Sequence, residues 1–438
     1  MTTETVPRLK SASTIATDQL ALAAWAILLG TASGLACVAI RLSFRLLQWI
    51  FTQQVGTLPS VAAMLSPTRR IITPMEGAAM VIFITWLTRR FMSNPSFEGY
   101  VEAVRLRGGR IPFISTVWRT LASALSVATG ASIGREGSMI QFAAAVASWI
   151  GARSPIRTLS LSQQVAYGVA AAVSAVYQAP IAGVFFATEI VLGEWAWENA
   201  SPLLLASTSG WIVSRVVLDA GPLFPVAGTL HFTLGFLWIF PLAVAFGLLG
   251  PAYQQLLCFS RAANRLPFAL LWGALLTGLL SLIEPKVWGN GDVALLSVLQ
   301  NKMTLFDISG LLALRIVATT VCVGTRTVGG VFTPTLFTGA ALGFALAHLF
   351  HSREPLLFAV CGMGLLMAAV THAPLMAAAM AVELTGQWHL AALIVPCTLI
   401  ASFVARAISR TSLYEIASPE PTESAYSQNC SSAQLRTP

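Results

Sequence analysis

Apolar residues run along this chain in long stretches, broken by short clusters of glycine, proline and charge. The first stretch, from Leu20 to about Phe51, is far longer than a signal-peptide core and predicts a long, tilted helix. Its two arginines, Arg41 and Arg45, must then face a protein interior or an interface. Further apolar segments follow at about 71–91, 113–130, 136–151, 160–176, 180–193, 201–219, 230–258, 266–283, 308–324, 331–350, 355–371, 374–385 and 390–408. Several fall short of the roughly 20 residues that a helix needs to cross a bilayer. Short segments interrupted by glycine and proline in corresponding places point to a midplane binding site built from broken helices. Polar sequence flanks this region. Residues 1–19 predict a polar N-terminal arm, 20–415 the membrane domain, and 416–438, rich in Ser, Thr and Pro, a short disordered tail.

The apolar pattern repeats. Ala175-Val176-Tyr177-Gln178-Ala179-Pro180, running on to Glu189, matches Ala369-Val370-Thr371-His372-Ala373-Pro374, running on to Glu383, with every matched position 194 residues apart. The same offset sets Val127-Ala128-Thr129-Gly130 over Val321-Cys322-Val323-Gly324. Two related halves, about 20–219 and 220–410, are the reading. Similarity alone leaves open whether they run parallel or inverted.

Composition narrows the class. Of the 438 residues 56% are hydrophobic and 10% charged, with mean hydropathy +0.74. Soluble domains carry about a quarter charged residues, so a large soluble all-α protein would lack a polar surface. This is an all-α polytopic membrane protein. The net charge of +8 is spread over loops and ends, with no basic cluster or aromatic pattern for nucleic acid. Arg89, Arg90, Arg105, Arg107 and Arg110 lean their side of the membrane toward the cytoplasm, though Arg69 and Arg70 dilute the signal. The six cysteines have neither zinc spacing nor a disulfide framework and read as buried, inert thiols.

Candidate chemistry sits in the breaks. Thr129-Gly130-Ala131-Ser132-Ile133-Gly134-Arg135-Glu136-Gly137-Ser138 carries three glycines, an arginine and a carboxylate between long apolar segments. Such a break is tolerated only where backbone is buried in protein or lines a cavity. A new helix reads from Met139 onward, so Glu136 would share its start with the free N–H groups of Gly137 to Met139. Orphan donors and the positive end of a helix dipole make an anion site there. A carboxylate can fill that site or give way to a dissolved anion. The matching break, Gly329-Gly330-Val331-Phe332-Thr333-Pro334, has no acid. Of the membrane acids, Glu189 and Glu383 are repeat-related and read as structural, bonding the same backbone feature in each half; Glu136 is asymmetric and reads as functional.

Gly134-Arg135-Glu136-Gly137, Gly330-Val331-Phe332-Thr333-Pro334 and the late Ser412-Leu413-Tyr414 together resemble the ClC chloride channel and exchanger family. Trp288-Gly289-Asn290-Gly291 and the two Ala-Pro blocks fit as well. The likeness spans about residues 20–415 and looks closest to the bacterial ClcB-type branch. It implies a fold of two inverted repeats with broken and re-entrant helices, in a homodimer with one anion pathway per subunit. It further implies a bacterial inner-membrane location with both termini cytoplasmic. By position Glu136 resembles the gating glutamate. Gly134, Arg135, Gly137 and Ser138 would surround the outer anion site, with Arg135 more suited to pinning the loop than to touching the ion. Gly330, Val331, Phe332 and the Tyr414 hydroxyl would line the central site. Two departures stand out. The selectivity serine should fall in Asn94-Pro95-Ser96-Phe97-Glu98, where Pro95 takes its place and Ser96 is the nearest hydroxyl. The internal proton-relay glutamate of coupled exchangers would align with Ile190, which carries no proton. That leaves a passive, voltage- or pH-gated channel-like protein, an uncoupled carrier, or a chloride/proton antiporter with protons entering elsewhere. The first is favoured.

Rivals from other classes fit less well. An intramembrane enzyme would need a nucleophile–base pair or metal ligands. Ser138 has no histidine near it in sequence, and His348 and His351 have no carboxylate at ligand spacing between them. A cation-coupled carrier of an organic solute would need clustered acids or unwound carbonyls, whereas these breaks present helix N-termini. The expected partners are chloride or a similar small anion, protons in the exchanger reading, and the lipid bilayer. No catalytic residue, cofactor or metal is expected.

Overall fold

The computed structural model describes residues 12–91, 99–156, 158–193, 200–218, 221–226, 228–230 and 234–414. Ser96 and Pro95, and the tail from 415 onward, lie outside the described residues. Among those described there is no strand, only one isolated bridge between two glycines.

The first half opens with α1 (Ala12–Thr52), α2 (Leu58–Met64) and α3 (Pro67–Phe91). Helix α1 starts well inside the stretch read as a polar arm ending at residue 19. At 41 residues it is about 60 Å long, twice the roughly 30 Å hydrocarbon core, so it must tilt or project into water. There its polar first turns cost nothing. Then come α4 (Tyr100–Leu106), α5 (Phe113–Ala128), α6 (Glu136–Gly151), α7 (Leu161–Tyr177) and α8 (Pro180–Phe185). A π-helical turn, Phe186–Leu192, continues α8, and α9 (Ala200–Leu218) closes the half. Local signals explain several boundaries. Ser160 and Gln163 form a capping box at the start of α7, and Pro180 opens α8 where no N–H is needed.

The second half contains α10 (Ile239–Ser260), α11 (Ala269–Ile283), α12 (Asp292–Leu299) and α13 (Leu305–Gly324), followed by α14 (Phe332–Leu349), α15 (Pro355–Thr371), α16 (Pro374–Thr385) and α17 (Ala391–Ile408). The sequence pattern passes over α2, α4 and α12. Each is only seven or eight residues, too short for a distinct apolar period.

The repeat is visible in backbone and contacts alike. Gln178 and His372, 194 residues apart, both stop their helices in the left-handed conformation, at φ 57° and 58°. Gly77 of α3 lies against Thr129 at the end of α5, and Gly273 of α11 lies against Thr325 at the end of α13, so close that a methyl on either glycine would overlap the threonine. These positions differ by 196, not 194. The register read from Val127–Gly130 over Val321–Gly324 is therefore off by two in this block. From the start of α6 to the start of α7 the first half runs two residues longer than the second does from α14 to α15, because its longer loop outweighs its shorter helix, and this restores 194 downstream. Among the described residues seven helices are long and apolar enough to cross a membrane, and α5, α11, α15 and α16 are among the shorter apolar helices.

Candidate functional site

Two broken helices meet head to head. Gly134, just before α6, and Gly330, just before α14, exchange both backbone bonds: Gly134 N–H to Gly330 O at 2.6 Å and Gly330 N–H to Gly134 O at 2.7 Å. The positive ends of a 16-residue and an 18-residue helix thus converge across the two halves. The same bridge consumes the N–H groups of Gly134 and Gly330. These two glycines frame the site, with their own N–H groups bonded to each other's carbonyls. Only glycine fits at 134, because a β-carbon would run into Glu136 Oε2 and the Gly330 carbonyl.

Glu136 is the first residue of α6 and is 5% exposed. Its Oε1 accepts a hydrogen bond from Asn290 Nδ2, contributed by the other half of the chain. The carboxylate shares a small cavity with Arg41 of α1, Arg135, Tyr177 of α7, Asn290, Asp292 and Thr333. Arg41 therefore does turn inward, while Arg45 is exposed. The Arg135 guanidinium lies 5.7 Å from the Phe44 ring centroid, packed on α1 as a loop-pinning residue would be. Gly137 packs against Gly330. The Ser138 hydroxyl donates to the Arg135 carbonyl at 2.7 Å, so its proton is committed to its own helix and only its backbone N–H remains for an anion.

Aromatic rings lead away from the gate region. Tyr177 packs on Phe332 at 5.0 Å between centroids, Phe332 on Phe186 at 6.4 Å, and Phe186 meets Tyr414 edge-on at 5.5 Å. Val331 caps α14, and its carbonyl takes up the Thr335 N–H and hydroxyl. The Tyr414 side chain lies beside that of Tyr100, the first residue of α4. Gln141 of α6 caps the same α4 start, accepting the Tyr100 N–H at 2.8 Å. The structure thus joins Glu136, Phe332 and Tyr414 along one file of side chains. It adds Tyr177 and Tyr100, whose role no sequence motif signalled.

The other two membrane acids lie apart and do something the sequence did not disclose. Glu189 accepts from the N–H groups of Leu375 and Met376 (3.2 and 2.8 Å), which open α16. Glu383 accepts from those of Ile181 and Ala182 (3.0 and 2.7 Å), which open α8. Each half's carboxylate caps the other half's Ala-Pro helix. The expected backbone feature is present, but it is exchanged between halves. Ile190 is buried in the apolar core, while its carbonyl and that of Val191 receive Arg105.

A family model described as voltage gated chloride channel matches residues 77–406. The voltage-gated ClC-type chloride channel ClcB of Salmonella typhi is 34% identical over 405 residues, covering 88% of this chain and 95% of the relative. A putative chloride channel protein, ClcB-like, from Ralstonia nicotianae is 34% identical over 377 residues, 82% and 87% of the two chains. Among solved structures, a slow cyanobacterial Cl−/H+ antiporter aligns with TM-score 0.78 at 23% identity, over 90% of this chain and 96% of the other. A CLC-type fluoride/proton antiporter aligns with TM-score 0.70 at 20% identity, over 91% and 98%.

Proposed function

The chain belongs to the voltage gated chloride channel family, and from that premise we propose that Glu136 gates a passive chloride pathway through it. The observation that carries this is a carboxylate seated where two helix N-termini converge from opposite halves of the chain. Helix ends there favour one negative charge, so the ionised Glu136 side chain and a dissolved halide compete for the same place. Protonation or displacement of the carboxylate frees the place for the ion. Backbone donors at the starts of α6 and α14 bind a halide without the deep well that a buried arginine would create, and several weak sites in series suit rapid passage. The Tyr414 hydroxyl is the side-chain donor at the far end of the aromatic file. The anion is chloride, and the subunits pair as a homodimer in a bacterial inner membrane, each with its own pathway.

Channel-like transport is favoured over coupled exchange by Ile190, an apolar side chain where a proton relay would have to stand. The test is chloride efflux and simultaneous proton movement in liposomes, with wild type and Glu136→Ala. Chloride flux without uphill proton movement, altered in Glu136→Ala, is the expected result. Uphill proton movement driven by chloride would make the protein an antiporter with a proton route that bypasses Ile190. No anion flux from well-folded protein would refute the reading altogether.

A further inference from the structure

The partner that holds Glu136 in place is itself held by an unusual device. Asn290 lies in the turn between a short helical turn, Pro285–Val287, and α12, and it is 7% exposed. Its Oδ1 accepts the Asp292 N–H at 3.2 Å, an Asx turn that aims the amide nitrogen at Glu136 Oε1. Beneath the turn lies Arg315 of α13, 1% exposed. Its Nη1 donates to the carbonyls of Lys286 (2.6 Å) and Val287 (3.3 Å), and its Nη2 to that of Gly289 (3.0 Å). Gly291, at φ 95°, passes directly over the guanidinium, where a β-carbon would come within 2.8 Å of Nη2. A guanidinium that bonds carbonyls is costly to bury, and here, with the Asp292 carboxylate adding a favourable charge, it is held by the carbonyls that shape one turn.

We propose that Asn290, positioned by Arg315, is the latch that keeps the Glu136 carboxylate in the anion pathway. The proposal rests on the reading of Glu136 as the gate. Asn290 touches the gate; Arg315 acts through the turn and is a positioning residue. A neutral amide suits the task. It donates one hydrogen bond to the ionised carboxylate, enough to hold it, without the charge that would trap every passing anion. The other groups facing Glu136 are Arg41 of α1, Arg135 at its own helix start, Tyr177 of α7, Asp292 of α12 and Thr333 of α14. The two arginines favour the ionised carboxylate and Asp292 disfavours it. None of them is changed by substituting Asn290.

Removing the amide donor withdraws a bond made to the ionised form of Glu136, so protonation, and with it opening, should occur at higher pH. A hydrogen bond to a charged group corresponds to about one to two pH units in a titration midpoint. The experiment measures chloride efflux from liposomes against external pH for wild type, Asn290→Leu, Asn290→Asp and Arg315→Lys, each also in a Glu136→Gln background. Expected is an alkaline shift of about one to two units in the half-maximal pH for Asn290→Leu, and a larger one for Asn290→Asp, which adds a like charge beside Glu136 as well as removing the donor. Arg315→Lys, which cannot reach three carbonyls at once, should shift it less and in the same direction. All shifts should vanish with Glu136→Gln. The latch is overturned if Asn290→Leu and Asn290→Asp keep the wild-type profile, or if their effect persists with Glu136→Gln, which would mark a structural role in the turn. A wild-type pH profile in Glu136→Gln alone would instead remove the gate reading on which the latch depends. Should Asn290→Leu fail to fold, Arg315→Lys, whose shift must appear with Glu136 and vanish with Glu136→Gln, decides the matter.

Discussion

Truncating Glu383 to alanine should loosen the whole molecule although the residue does not line the cavity around Glu136. Its two oxygens accept the N–H groups of Ile181 and Ala182 at 3.0 and 2.7 Å, at the start of a helix drawn from the opposite half. Alanine leaves both donors unpaired, the Ala182 N–H in the fully buried interior and the Ile181 N–H at its apolar edge. Each orphaned donor costs about 1–3 kcal/mol, so the pair amounts to roughly 2–6 kcal/mol. Interhelical hydrogen bonds in membrane proteins often contribute only ~0.6 kcal/mol, because the unfolded helices find other partners. Two charge-assisted bonds at a helix N-terminus belong nearer the upper range. Glutamine keeps one acceptor oxygen and should lose about half as much. Thermal unfolding followed by intrinsic fluorescence in lipid nanodiscs would read this as a fall of several °C for Glu383→Ala and a smaller fall for Glu383→Gln. The symmetry requires Glu189→Ala to behave alike, since its oxygens cap Leu375 and Met376 at 3.2 and 2.8 Å. Unfolding temperatures equal to wild type for both alanine variants would refute the view that these acids clasp the halves together.

Other perturbations follow from the same contacts. Gly134→Ala places a β-carbon against Glu136 Oε2 and the Gly330 carbonyl, so it should displace the gate and abolish the pH dependence of chloride efflux while the protein still elutes as a folded species. Gly77→Ala and Gly273→Ala should destabilise the protein to similar extents in a thermal melt, because each methyl overlaps a repeat-related threonine; Thr129→Ala should partly restore the first and leave the second untouched. Tyr414→Phe removes the hydroxyl proposed as the side-chain donor to the anion, and at about 1 kcal/mol per hydrogen bond it should weaken chloride binding measured by calorimetry roughly fivefold.

Much was determined by the linear sequence, because a bilayer makes strong demands on local composition. Apolar runs had to be helices, since no other open structure satisfies its backbone in lipid. The glycine-rich interruptions at 129–138 and 329–334 therefore marked the site before any contact was known, and Glu136 stood out as an acid without a repeat partner. The Ala-Pro blocks disclosed the doubling of the chain. Partner choice was decided only in three dimensions. A buried carboxylate must find donors, but nothing local says that Glu189 finds them at Leu375 and Met376, or that Glu136 finds Asn290 154 residues away. The bridge that consumes the Gly134 and Gly330 N–H groups, the inward turn of the Ser138 hydroxyl and the two-residue change of register have the same origin. Each depends on which helix ends the fold brings face to face. Hydropathy reports how much polar backbone must be satisfied; the packing of the two halves decides by whom.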